Sequence, residues 1–142
     1  MEEKNIDLFN RYTGSILKLL YENFPVCYGI STLDIVEDTL IDKDKKELVC
    51  SETMFWLKDS GFITFVSPKD KTISLDSGTV AYYKFSCAVL TAKGLEILKQ
   101  IPQSIKPRET LGDKLVEAVS KNAPTMVTDI VSTAISGSLK FL

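Results

Sequence analysis

The side chains of this sequence that could do chemistry are its carboxylates, its three cysteines and a scatter of lysines. Asp34, Glu37 and Asp38 stand three and four apart, which puts them on one helical face, where two acids could hold a cation or divide proton-transfer roles. No third ligand motif lies nearby, so a solvated helix face is the plainer reading. Asp42-x-Asp44 lacks the glycine and distal glutamate of a calcium loop and reads as a turn. Cys27, Cys50 and Cys87 are odd in number and widely spaced, which suits reduced, partly buried thiols better than a disulfide framework. With no Cys-x-x-Cys pair and no histidine, a structural zinc site is not expected. The missing histidine also removes the Ser-His-Asp and Cys-His designs and the commonest general base. Phosphate-loop, Gly-x-Gly-x-x-Gly and Gly-x-Ser-x-Gly motifs are absent too, so neither catalysis nor a cofactor is expected.

Any binding residues must be positioned by folded elements, and the composition is sufficient to build them. The chain has 142 residues, 44% hydrophobic and 25% charged, which fits one domain plus an appendage. Met1-Glu2-Glu3-Lys4 has no basic segment leading into an apolar one, and no apolar run is long enough to cross a bilayer. A cytoplasmic protein without an integral membrane span is therefore expected. Leu8, Phe9, Tyr12, Ile16, Leu19, Leu20 and Phe24 recur three to four apart and predict a helix over 7–24, stopped by Pro25. Ser31-x-x-Asp34 reads as a capping box opening a short second helix with Leu33, Val36 and Leu40 inward. A charged turn over 41–46 leads to a third helix with Leu48, Cys50, Met54 and Leu57 buried and Gly61 as its left-handed cap. Residues 62–66 read as a strand, 67–71 as a tip, 72–75 as a weak strand, 76–78 as a turn and 80–89 as the returning strand. Thr91 can cap a fourth helix carrying Leu95, Ile97, Leu98 and Ile101, which ends before Pro102.

Met54, Leu57, Gly61, Phe62 and Ile63, followed after the β-rich stretch by Leu90, Thr91, Gly94 and Leu98, carry a resemblance. Over residues 7–101 the order helix, helix, helix, strand, strand, helix resembles the winged helix-turn-helix superfamily. A long insertion between helices two and three and a long wing depart from its minimal form. The resemblance implies an α+β fold with a three-helix core and a β-wing over 1–101, a linker over 102–109 and a C-terminal helical extension over 110–142. In DNA-binding members the third helix enters the major groove while the wing reaches backbone or minor groove. On this chain that helix would present Glu47, Ser51, Glu52, Phe55 and Asp59, three of which are carboxylates. Phosphate binding needs clustered Lys and Arg, yet residues 1–40 carry three basic against seven acidic side chains and no segment is strongly basic.

Two functions are therefore weighed. One is a regulator that binds duplex DNA as a homodimer, with Lys43, Lys45, Lys46 and Ser51 at the third helix and Lys69 and Lys71 at the wing tip; the plainer reading of those lysines is solvated charge. The other is a protein-interaction module using Phe55 or Trp56. These sit side by side on a helix whose stripe Met54 and Leu57 already fill, so at least one should leave the central core, for an interface or for packing on the wing or terminal helices. In the tail, Thr110-x-x-Asp113 reads as a second capping box before Leu111, Leu115, Val116 and Val119. Pro124 begins another helix or kinks this one. Pairing with a second copy through Val127, Ile130 and Val131 is expected, with self-packing the nearest alternative. Lys114, Lys121 and Lys140 are too few for a strong anionic-lipid anchor.

Overall fold

The computed structural model describes residues 4–36, 42–75, 78–100 and 110–138, with the backbone path alone for 67–75, 78–83 and 137–138. In chain order the elements are α1 (Asn5–Asn23), β1 (Tyr28–Ser31), α2 (Thr32–Val36), α3 (Lys43–Asp59), β2 (Ile63–Leu75), β3 (Gly78–Leu90), α4 (Ala92–Leu98), α5 (Leu111–Ser120) and α6 (Pro124–Ser138). The strands form one antiparallel sheet in the order β1-β3-β2. This α+β arrangement is compatible with a winged-helix layout.

Local sequence accounts for several of these elements. Along α1, Leu8, Tyr12, Ile16 and Leu20 repeat every four residues and are all buried, so one stripe faces the core. Cys50, Met54 and Leu57 fill the inner side of α3. That helix stops where Gly61, at φ 86°, donates to Lys58 O at 3.0 Å and Phe62 N donates to Leu57 O at 2.9 Å, a pair of bonds that satisfies two end carbonyls. Thr91 then ties α4 to the same turn. Its N–H donates to Phe62 O at 3.0 Å, its hydroxyl donates to Gly61 O, and its Oγ1 accepts from Gly94 N at 3.0 Å. Gly94 has to be glycine here, because a Cβ would stand 2.2 Å from Phe62 O.

The helical tail packs on its own chain. Thr110 and Asp113 form the expected capping box, and the Tyr21 hydroxyl lies 3.0 Å from Thr110 Oγ1. Asn122, at φ 53°, ends α5, and Pro124 begins α6 as a separate helix. At Gly14 a Cβ would meet Val127 Cγ1 at 2.5 Å and Leu115 Cδ1 at 3.6 Å, so α5 and α6 press against α1 where it lacks a side chain. Val127, Ile130 and Val131 are buried in this core rather than offered to a second copy. The linker expected over 102–109 lies outside the described residues, as do Glu37, Asp38 and Leu40.

Several expectations require correction. Cys27 and Cys87 form a disulfide, and Cys50 is the buried free thiol; the widely spaced cysteines meet because β1 pairs with β3. Local sequence carries no signal for β1: Tyr28–Ser31 is short and gains its ladder from residues more than fifty positions away. Residues 67–71 are no tip, since β2 runs unbroken to Leu75 and Lys69 and Lys71 oppose Lys84 and Tyr82 mid-hairpin. Finally, Lys43–Lys46 belong to the first turn of α3 rather than to a turn before it, and Leu48 points outward.

Candidate interaction face

On the open side of α3, Leu48, Glu52 and Trp56 follow one another at four-residue spacing, so they stack along one face. Leu48 is 57% exposed and Trp56 41% exposed. The indole is held in place: its ring lies edge-on to Phe9 of α1 with centroids 5.2 Å apart and stacks on Phe62 at 6.2 Å with 22° between planes. Lys93 backs this stack, with Nζ 5.3 Å from the Phe62 centroid and 2.8 Å from Ser60 O. One turn before Phe9, Ile6 is 59% exposed and extends the apolar surface along α1. Asp44, Glu52 and Asp59 are exposed on α3 along this surface, with Lys45 half-buried on the same side.

Phe55 goes the other way. It meets Phe65 and Phe85 at centroid distances of 5.8 and 5.5 Å and belongs to the packing between α3 and the sheet. Of the two adjacent aromatics, Trp56 is therefore the one at the surface. Phe9 and Leu48 complete its patch, although helical periodicity places both on core stripes. A neighbour on a different helix was the signal that periodicity alone does not contain.

The residues expected to meet DNA are not gathered into one basic face. Ser51 is 1% exposed and donates from Oγ to Leu48 O at 2.9 Å, while Lys46 is buried and Lys43 and Lys45 are half-buried. The side chains of Lys69 and Lys71 lie outside the described residues. Glu47, expected outward, is 3% exposed, with neither carboxylate oxygen in hydrogen-bonding geometry to a donor. Burial pushes its carboxyl above the usual carboxylate range; the Thr32 hydroxyl and Lys43 pull back against this, and Asp44 adds to the rise. The Cys50 thiol beside it is pushed well up, first by burial and then by the Glu47 charge, which leaves it a protonated and unreactive side chain.

Asp34 lines an open groove of about 1140 Å³ between α1, α2, the start of α3 and the α5–α6 corner. Its charged walls mix Asp7, Asp34 and Asp129 with Arg11, Lys43 and Lys46, so neither sign of ligand is favoured. Among the described residues no three acidic, cysteine or histidine side chains are grouped to hold a metal, and no helix is long and apolar enough to cross a membrane. Compared with known proteins, the chain matches no family model, no curated protein and no solved structure.

Proposed function

We propose that this is a winged-helix-like regulatory module that binds a protein partner through the outer face of α3, and that the segment it takes is a basic amphipathic helix. The observation that carries this reading is an exposed Trp56, held by Phe9 and Phe62, in line with exposed Leu48. A rigid aromatic beside an aliphatic side chain suits the apolar stripe of a partner helix. Asp44, Glu52 and Asp59 complement basic residues flanking such a stripe, and the same carboxylates oppose the phosphates of a nucleic acid.

Trp56 is the chain's only tryptophan, so its emission reports directly on that face. Titration with a leucine–lysine amphipathic helical peptide should shift the emission to the blue and saturate, while the leucine–glutamate counterpart should leave it unchanged. Leu48→Ala should weaken the first titration. Equal responses to the basic and acidic peptides, or none to either, would overturn the assignment.

One observation favours a second reading, duplex DNA held by the hairpin rather than by α3. Lys69 and Lys84 are directly opposed on β2 and β3, and Lys71 follows two positions on. Fluorescence anisotropy with mixed-sequence duplex at low salt tests this. Binding that weakens steeply with salt and is lost in Lys69→Ala/Lys84→Ala supports it; no binding removes it.

A further inference from the structure

The second place in the fold with chemistry of its own is the edge of the sheet. Cys27, just ahead of β1, is bonded to Cys87 within β3 across a sequence separation of 60. Both half-cystines are exposed. Cysteine is ordinarily among the most buried residue types, and disulfides left open to solvent are the ones that external thiols reach and exchange with.

The backbone at this point is also unusual. Cys87 has φ 52°, in the left-handed region that glycine, asparagine and aspartate occupy at lower cost. It sits where both ladders of β3 shift register: on one side Tyr28 opposes Ala88 and Ile30 opposes Phe85, and on the other Thr64 opposes Val89 and Val66 opposes Ser86. Cys87 is thus the added residue of a bulge, turned out of the regular ladder towards Cys27.

The element it secures is slight. β1 has four residues, and within 26–31 Ile30 is the one buried side chain, with Val26, Cys27, Tyr28 and Gly29 all exposed. Around Gly29 there is open space where a side chain would be. A short edge strand with one buried anchor has few contacts to keep its outer half paired, and the covalent bond supplies the restraint at that end.

We propose that Cys27–Cys87 is a thiol–disulfide exchange site for dithiol reductants, and that opening it releases the outer half of β1 from β3 while Ile30 keeps the inner half seated. A thiolate of the reductant attacks one sulfur, the sulfur–sulfur bond breaks, and the other sulfur leaves as a thiolate that takes up a proton. The reductant's second thiol, as its thiolate, then attacks the reductant's sulfur in that mixed disulfide and expels the protein's remaining sulfur, which takes up a proton. Two electrons pass to the protein, which ends with two thiols, and the dithiol ends as its own disulfide. Cys50 takes no part, being buried and protonated. The site is independent of what the α3 face binds.

The full chain, first oxidised with glutathione disulfide, is alkylated with iodoacetamide under native conditions before and after dithiothreitol, and mass spectrometry assigns the modified cysteines. The expected result is no modification before reduction and modification of Cys27 and Cys87 after it, with Cys50 reacting only in denaturant. Hydrogen exchange on the reduced chain should show the Tyr28 and Ala88 amides losing protection by roughly tenfold or more, while Ile30 and Met54 keep theirs. A Cys27→Ser/Cys87→Ser variant should reproduce that pattern; if it does not fold, the reduced parent carries the measurement. Alkylation of Cys27 and Cys87 without reductant would overturn the proposal. So would a bond that dithiothreitol opens only on unfolding, or reduction that leaves the exchange of Tyr28 and Ala88 unchanged.

Discussion

Replacing Gly94 by alanine tests the joint between α3, the sheet and α4 at its narrowest point. The added methyl would lie 2.2 Å from Phe62 O and 3.1 Å from Phe62 C, both backbone atoms that no side-chain rotation can move aside. To regain ordinary van der Waals separation α4 must back away by roughly 1 Å or more. That movement strains the bonds converging there, namely Thr91 N to Phe62 O at 3.0 Å and Gly94 N to Thr91 Oγ1 at 3.0 Å. Forcing an extra methyl into a packed site costs about 1–3 kcal/mol, and a compromised helix cap adds about 1 kcal/mol. A loss of about 2–4 kcal/mol should lower the melting midpoint by roughly 10 °C in a chain of this size. Urea denaturation followed by circular dichroism measures it, with Gly29→Ala as the control because nothing lies within 4 Å of the added methyl. A Gly94→Ala protein that unfolds at the same urea concentration and with the same slope as the parent would show that the backbones do not approach this closely.

Other outcomes follow from the same packing. Met54→Ala should cost about 2–5 kcal/mol, since the side chain is fully buried and its loss leaves a cavity; an unchanged urea midpoint would put Met54 outside the core. Glu47 has a folded-state pKa raised above its unfolded value, so the stability tied to its neutral form is complete at pH below the ordinary carboxylate range and is lost as pH rises through the folded pKa. Relative to Glu47→Gln, the parent should therefore lose stability as pH rises above 4.5, and parallel pH profiles of the two would contradict this. Ending the chain after Pro107 removes α5 and α6 and uncovers α1 around Gly14, so the shortened chain should lose its cooperative melt and aggregate by light scattering. A truncated chain that melts like the parent would mean the tail adds nothing to this core.

The Cys27–Cys87 bond replaces the three reduced thiols that the cysteine spacing suggested. An exchangeable pair, rather than a permanent staple, is the property the alkylation experiment measures.

Features determined within a few residues were legible from the sequence. The α1 stripe, the Gly61 stop, the Thr91 cap and the Thr110/Asp113 box each depend on a helical period or on a bond spanning three to five positions, so their causes lie inside one short window. The rotation of α3 was not legible. Its polar and apolar residues are interleaved without one clean stripe, and α1, α2 and the sheet all pack on it, so three neighbours together decided that Glu47 and Ser51 turn in and Leu48 turns out.

The sequence by itself determined where most of the helical segments lie, where several of them start and stop, and that Met54 and Leu57 belong inside, because side-chain periodicity and backbone caps act locally. Tertiary structure alone decided that Trp56 meets Phe9, that Val127 presses on Gly14 and that Cys27 joins Cys87. Each of those pairs unites residues forty-seven or more positions apart. The energy that brings them together is burial and strand pairing summed over the whole chain, and no local window of residues contains it.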